Sequence, residues 1–400
     1  MVTYPKEWKT YDFGEYFSLL SNNTLPRAAE SEAGTVVNIH YGDVLVRYGE
    51  TIGHKTNIPK LTPLVAFTPD AFLQSNDVIF ADTAEDETVG KCTQLVDIST
   101  PVVAGLHTIP CRPRVVTAPG FLGYYLNSRL FHDQLIPYIT GIKVSSISKA
   151  SIQKTTLTLP DFPEQRAIAD VLSGFDEYLA NLDELIAKKK ASRDGFIEEL
   201  ISGNRRLEGF TEDWASYSLG EIVTVRREVL EASIPDVDIE LENLLPREGK
   251  LTGDISYRTA ASLAFCSGDV LFGRLRPYLR KYWLADRSGV KSGEIWALVP
   301  GDLIVPLFLF HLVRSNQFIS AANLTMGTKM PRADWQHMKD RVFRIPSIRE
   351  QNAIAASLSV LDNEIEALSD ERAKIERLKL GAMDDLLTGR VRLPIDEEVA

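Results

Sequence analysis

Apolar residues recur at helical spacing along two long stretches of the chain. In the first, Ile168, Leu172, Phe175, Leu179 and Leu182, with Val171 and Ile186, fall three or four residues apart after Glu164. In the second, Ile354, Leu358, Leu361, Ile365 and Leu368 keep the same alternation, followed by Ile375 and Leu378. Such spacing lays one apolar stripe along one helix face. Pro163 suits a first helical turn, and Gly203 and Gly389 stand where helices stop. Arg372 and Lys379 break the second stripe, and Lys188-Lys189-Lys190 is predicted to interrupt the first helix. Roughly 36 residues of helix make a rod of about 54 Å. A rod with a single apolar stripe needs a partner. The nearest one is the other stretch, in an intramolecular antiparallel coiled coil.

The two stretches are copies of one another. Leu159-Pro160-Asp161-Phe162-Pro163-Glu164-Gln165 returns as Ile345-Pro346-Ser347-Ile348-Arg349-Glu350-Gln351, and the offset of 186 holds without a gap to Leu207/Leu393, with 17 identities over 49 positions. Trp8 with Gly14-Glu15 precedes the first copy as Trp214 with Gly220-Glu221 precedes the second. The chain is therefore a tandem duplication: globular regions 1–158 and 211–344, each followed by a helical region, 159–210 and 345–400. Each half is too long for a solenoid repeat. Trp214 follows Gly203 closely, so Trp8 is expected beside Gly389, in a pseudo-twofold object whose ends tolerate circular permutation.

Within the globular regions, strands are predicted at Asp43–Arg47, Asp77–Ala81 and Leu95–Ile98, and again at Asp269–Gly273, Tyr282–Ala285 and Glu294–Val299. Helices are predicted at Phe121–Gln134 and Leu307–Ala322. Setting the rods aside, each half is an α+β domain of about 130 residues.

Composition narrows the function. The net charge of −11 argues against nucleic acid at first sight, but the helical regions carry 14 basic against 23 acidic residues, which leaves the globular regions near neutral. Local clustering, rather than total charge, decides phosphate contact. Cys92, Cys111 and Cys266 are far apart and odd in number, which fits a reducing cytoplasm and excludes a paired zinc or redox motif. The start predicts no signal peptide, and no apolar run is long enough for a membrane span. A glycine-rich phosphate loop and a nucleophile elbow are both missing. His40, His54, His107, His132, His311 and His337 show no paired metal spacing. The acidic group Asp82, Glu85, Asp86 and Glu87 reads as a solvated hairpin tip, a divalent-ion site, or an acceptor for a cytosine amino group. No catalytic site, cofactor site or metal site is expected.

The candidates for binding DNA are basic loops. Arg274, Arg276, Tyr278, Arg280 and Lys281 crowd a hairpin connection, where alternating arginines suit phosphate contact or bidentate guanine reading, or merely solvate a turn. Gly327-Thr328-Lys329-Met330-Pro331-Arg332 is matched by Gly141-Ile142-Lys143-Val144-Ser145-Ser146. Each is a glycine-hinged loop ahead of a short helix, and Lys143 and Lys329 recur; phosphate contact and plain connection remain alternatives. Trp8 and Trp214 read as packing residues.

These residues carry a resemblance. The pattern P-x-x-x-E-Q-x-A-I-A…L-S…D at Pro160–Asp176 and Pro346–Asp362 resembles the repeated helical regions of type I restriction-modification specificity (S) subunits, as do the endings Leu200–Gly203 and Leu386–Gly389. Asn76–Thr83 and Gly268–Leu275 resemble the target-recognition strand of that family, with Asn76 in place of the usual glycine. The likeness covers essentially the whole chain. It implies two target recognition domains that each read half of a split double-stranded DNA sequence, and a helix pair that sets the gap. It also implies docking of two methylation subunits, which bind S-adenosylmethionine, and of motor-nuclease subunits that use ATP with magnesium. The chain itself would then be non-catalytic, with no membrane partner. The competing reading is a coiled-coil scaffold that binds proteins and not DNA.

Overall fold

The structure is a computed structural model that describes residues 3–54, 56–62, 65, 67–230, 237–253, 255–257 (256 and 257 as backbone), 262–324 and 331–395. The chain divides into two compact units, residues 1–182 with 371–400 and residues 183–370.

In the first unit, strand Lys9–Asp12 runs antiparallel to Thr156–Leu159. The main sheet orders Phe17–Leu19, Thr108–Pro113, Val78–Ala81, Cys92–Leu95 and Thr51–Ile52, all antiparallel except the last pair. Val78–Ala81 reads as an unbroken apolar run because both of its faces are covered. Val78 and Phe80 join a core with Phe13, Phe17 and Phe131, whereas Ile79 and Ala81 join a second core with Val44 and Ile52.

The second unit repeats this plan. Ala215–Ser218 pairs antiparallel with Val342–Ile345, and a sheet orders Val223–Val225, Ile295–Pro300, Val270–Gly273 and Tyr282–Leu284. Val270 and Phe272 face one core while Leu271 faces another. Asp77 and Asp269 are buried just before their strands. Each is held by one arginine, Arg112 Nε at 2.8 Å and Arg226 Nε at 2.7 Å. The residues in front of them, Asn76 (φ 75°) and Gly268 (φ 90°), are left-handed. Asparagine tolerates that region better than most side chains, which accounts for its standing where glycine is usual.

Four predicted elements are corrected. Asp43–Arg47 is no strand but part of a helical turn, Tyr41–Val46, that buries Val44 and exposes Val46; so short an apolar run does not distinguish the two. The Leu95–Ile98 strand lies earlier, at Cys92–Leu95, and Asp97 turns left-handed (φ 52°). Each long predicted helix is two: Phe121–Asn127 and Arg129–Leu135 break at Ser128, and Pro306–Arg314 and Asn316–Ala322 break at Ser315. Both serines are extended (ψ 155° and 151°) and donate to a carbonyl three residues back, Tyr125 and Leu312. Side-chain competition with the helical ladder explains the break.

The central helix Phe162–Ser202 has 41 residues and the C-terminal helix Ile348–Leu386 has 39. Lys188-Lys189-Lys190 does not interrupt the first; it lies inside an unbroken helix, with Lys189 2.7 Å from Glu364 and Lys190 2.7 Å from Glu248. Parts of the two helices pair antiparallel within each unit. In the first, Ile168 and Leu172 pack with Met383, Leu386 and Leu387, and Tyr178 donates to Glu371 at 2.6 Å. In the second, Ile354 and Leu358 pack with Ile197, Leu200 and Ile201, and Arg193 meets Asp362 at 3.2 Å. Leu182 and Ile365 are buried, and Phe175, Leu179, Leu361 and Leu368 are half-buried. The helix ends are thus part of the globular cores, which is more than a coiled-coil seam would do.

Candidate nucleic-acid interface

The repeated Glu-Gln pair is structural. Glu164 and Gln165, like Glu350 and Gln351, are buried. Trp8 Nε1 donates to Glu164 at 3.1 Å, and Trp214 Nε1 to Glu350 at 3.1 Å. The equivalent arginines also land on these carboxylates, Arg392 on Glu164 and Arg206 on Glu350. Gln165 accepts from Ala118 N–H and donates to Pro160 O; Gln351 accepts from Val305 N–H and donates to Pro346 O. Each glutamine fastens a helix start to the loop ahead of a short helix, Phe121–Asn127 or Pro306–Arg314. Trp8 packs against Gly389 as Trp214 packs against Gly203.

With those residues spent on packing, the exposed polar chemistry gathers at one hairpin per unit. In the second unit the connection from Val270–Gly273 to Tyr282–Leu284 carries Arg274–Lys281. Arg276 and Arg280 are left-handed, at φ 51° and 53°. Arg276 is exposed at the tip with no side-chain partner among the described residues, and Tyr278 is half-exposed beside it. Arg280 and Lys281 are not available: Arg280 donates to the Arg314 carbonyl at 2.8 Å and to Asn316, and Lys281 donates to the Leu241 carbonyl at 2.8 Å. Their role is to hold the turn. Arg274 turns inward, its guanidinium 5.9 Å from the centre of the Trp296 ring.

The structure brings together two loops that the sequence separates. Arg276 N–H donates to Pro331 O and Ala333 N–H to Arg274 O, each at 2.8 Å, so Arg332 lies beside the hairpin and pairs with Glu294 at 3.0 Å. Lys329 lies outside the described residues.

The first unit repeats the juxtaposition with the opposite chemistry. The connection from Val78–Ala81 to Cys92–Leu95 carries the acidic group, and Thr83–Ala84 pairs antiparallel with Ser145–Ser146. Ser145 and Ser146 are half-buried in this pairing, and Lys143 is exposed on the loop before them. Asp82 accepts from Thr83 Oγ1 at 2.7 Å and faces His107 Nδ1 at 3.3 Å. The Asp86 carboxyl is held below the usual range by hydrogen bonds from Thr88. Among the described residues no group of His, Cys, Asp and Glu is placed to hold a metal ion, and no helix is long and apolar enough to cross a membrane. Sequence reasoning set the acidic and basic hairpins apart. The signal that could have joined them was the aligned pair Ala81-Asp82-Thr83 and Gly273-Arg274-Leu275.

Residues 5–189 match the type I restriction modification DNA specificity domain. The type I restriction enzyme MjaVIII specificity subunit of Methanocaldococcus jannaschii is 23% identical over 63% of this chain and 66% of its own length. The MjaX specificity subunit of the same organism is 22% identical over 79% of each chain. The chain thus spans just under two thirds of the first of these relatives. Among solved structures, a chain from work on complex assembly and conformational transition of the type I R-M system shares the fold, at TM-score 0.63 and 15% identity over 98% of this chain and 100% of that one. So does the Type-I restriction-modification system S subunit from M. genitalium, at TM-score 0.53 and 14% identity over 95% of this chain and 96% of that one. The second unit repeats the motifs of the matched half. Residues 5–189 thus carry a type I restriction modification DNA specificity domain, and the chain as a whole is similar to type I restriction enzyme specificity subunits.

Proposed function

We propose that this chain is the sequence-reading subunit of a type I restriction-modification enzyme, each unit reading one half of a split duplex site. One observation carries the reading: the same hairpin on the same strand, braced by the same Asp–Arg pair, ends in arginine in one unit and in carboxylate in the other. The planar fork of Arg276 matches the two major-groove acceptors of guanine, and Asp82 suits the amino group of cytosine. A good pair of this kind discriminates by about 1–3 kcal/mol.

Methylation and cleavage would then belong to partners: two methylation subunits that bind S-adenosylmethionine, and motor-nuclease subunits that use ATP and magnesium. The exposed Val171, Tyr178, Leu185, Val360, Leu378 and Leu380 on the long helices are apolar surface such partners would cover. Because both helices contribute to both units, they are the elements that would set the spacer.

The test is to map methylated bases in a host that expresses this chain with its methylation subunit. The expected result is a two-part motif with a fixed gap, and relaxed preference in only one part for Arg276→Ala. Equal loss in both parts overturns the assignment of that hairpin. A complex that binds random and cognate duplexes equally weakly would favour the scaffold reading.

A further inference from the structure

Beside the Arg276 tip, the second unit holds a recess of about 400 Å³ walled by Arg226, Arg227, Arg274, Lys291, Trp296 and Trp335. Its charges do not balance. Arg226 is committed to Asp269, with Nε at 2.7 Å and Nη2 at 3.1 Å from the carboxylate. Lys291 has no carboxylate in contact among the described residues; its ammonium, 1% exposed, donates to the Ile295 carbonyl at 2.7 Å. An ammonium carries three N–H bonds, so two are unspent. Burial pushes this group down to about 8, against the pull of Asp269. Arg274 Nε is buried and has no hydrogen-bond partner among the described residues. Arg227 stands exposed at the rim without a partner among them. Asp334, also on the wall, is occupied in accepting from Gln336 N–H at 2.9 Å.

Buried polar groups normally find partners, so an unpaired N–H on a buried cation calls for an acceptor from solvent or from a bound anion. The wall opposite is dry: Trp296 and Trp335 meet edge to face, with ring centres 5.7 Å apart. Apolar walls strengthen a charge interaction within them. The recess is also tied to the hairpin, because Arg274 carries one of its cations and accepts from Ala333 N–H, next to Asp334.

We infer that this recess seats one backbone phosphate of the duplex whose bases Arg276 meets. The inference rests on the DNA-reading role proposed above. It divides the hairpin arginines by task. Arg274 and Lys291 fix the register of the unit on the duplex and carry no sequence information, whereas Arg276 reads. The orphaned Nε of Arg274 then has its acceptor, and the excess positive charge has its counterion.

The experiment measures binding of the chain, in complex with its methylation subunit, to the mapped duplex and to a scrambled one across a salt series. Arg274→Gln should lower the slope of log affinity against log salt by about one unit, as expected for one phosphate contact. The slope should fall on both duplexes alike, and the cognate-to-scrambled ratio should stay constant. Lys291→Met should do the same, and Arg227→Ala, at the rim and harmless to the sheet, repeats the test where the buried variant fails to fold. Arg276→Ala should instead change the ratio. An unchanged slope in folded Arg274→Gln and Arg227→Ala overturns the phosphate seat and leaves the DNA reading standing. So does a quench of tryptophan fluorescence by adenosine monophosphate that is abolished in Arg274→Gln and blind to added duplex, since the seat would then serve a free nucleotide. A wild-type complex that binds neither duplex overturns both.

Discussion

Arg193 meets Asp362 at 3.2 Å in the second unit, and the Lys379–Asp176 pair at 2.6 Å in the first is its duplicate, with the two helices exchanging roles. Each partner lies 186 residues from its counterpart. The surroundings differ. Lys379 also reaches Glu50 at 3.0 Å, so it keeps a carboxylate if Asp176 is lost. Asp362 also takes Arg314 at 2.7 Å, so its loss strands the Arg314 guanidinium, whose side chain is 3% exposed, while Arg193 keeps Asp194 at 2.9 Å.

The expected cost is therefore unequal. Asp362→Asn should destabilise the protein by about 3–5 kcal/mol, as when a buried pair loses one member. Asp176→Asn, at a carboxylate more than a third exposed, should cost about 1 kcal/mol or less. Urea unfolding of the two variants checks this, and equal costs would contradict it.

His311 makes the second unit acid-sensitive. Its Nδ1 lies 3.1 Å from Arg314 Nη1, which can only donate, so the imidazole is neutral with its proton on Nε2. Burial, with the Arg314 charge next, pushes its pKa down to about 3. An unfolded histidine titrates near about 6.5. Unfolding thus takes up a proton between those values, and the stabilisation, complete above about 6.5, is lost as pH falls toward 3. The slope is about 1.4 kcal/mol per pH unit. His311→Leu should flatten the dependence between about pH 6.5 and 5 in urea midpoints; an unaltered slope would refute it. Asp362 is held down as well: burial would raise its carboxyl, but Arg314 and Arg193 keep it below the usual range.

The two stop glycines should respond unequally to alanine. Both are left-handed, Gly203 at φ 76° and Gly389 at φ 71°, which costs an alanine about 1 kcal/mol. A methyl at Gly389 would also stand 2.5 Å from Pro5 and 3.2 Å from Trp8, whereas at Gly203 the nearest atom is 3.3 Å away, on Trp214. Gly389→Ala should therefore lose about 1 kcal/mol more than Gly203→Ala, read by thermal denaturation.

The proximity of Trp8 and Gly389 predicts that a chain joined through its ends and reopened between Gly203 and Trp214 will fold. Circular dichroism and duplex binding of that permutant check it. A well-folded permutant that no longer binds DNA would argue that the ends have a role beyond closure.

The duplication, both long helices and the strands at Val78–Ala81, Val270–Gly273, Tyr282–Leu284 and Ile295–Pro300 were legible because periodicity and burial agree there. The turn at Tyr41–Val46 was misread because five residues of mixed apolar sequence fit either period. Ser128 and Ser315 broke helices through a hydroxyl-to-carbonyl bond that no apolar pattern records. At the site, sequence gave the residue types but not their commitments. Arg276 and Arg280 look alike in the sequence, yet only Arg280 is bound to a backbone carbonyl. That distinction depends on Arg314, which is remote in the chain.

The first unit is discontinuous, closed by residues from 371 onward, while the second is one uninterrupted segment, 183–370. Synthesis therefore runs against assembly. The half made before the other must wait, with Glu164 and Trp8 lacking Arg392 and Gly389, until residues 371–392 have been made. The later half has by then all of its own residues. Of the two units, the one begun first is the last to be completed as structure.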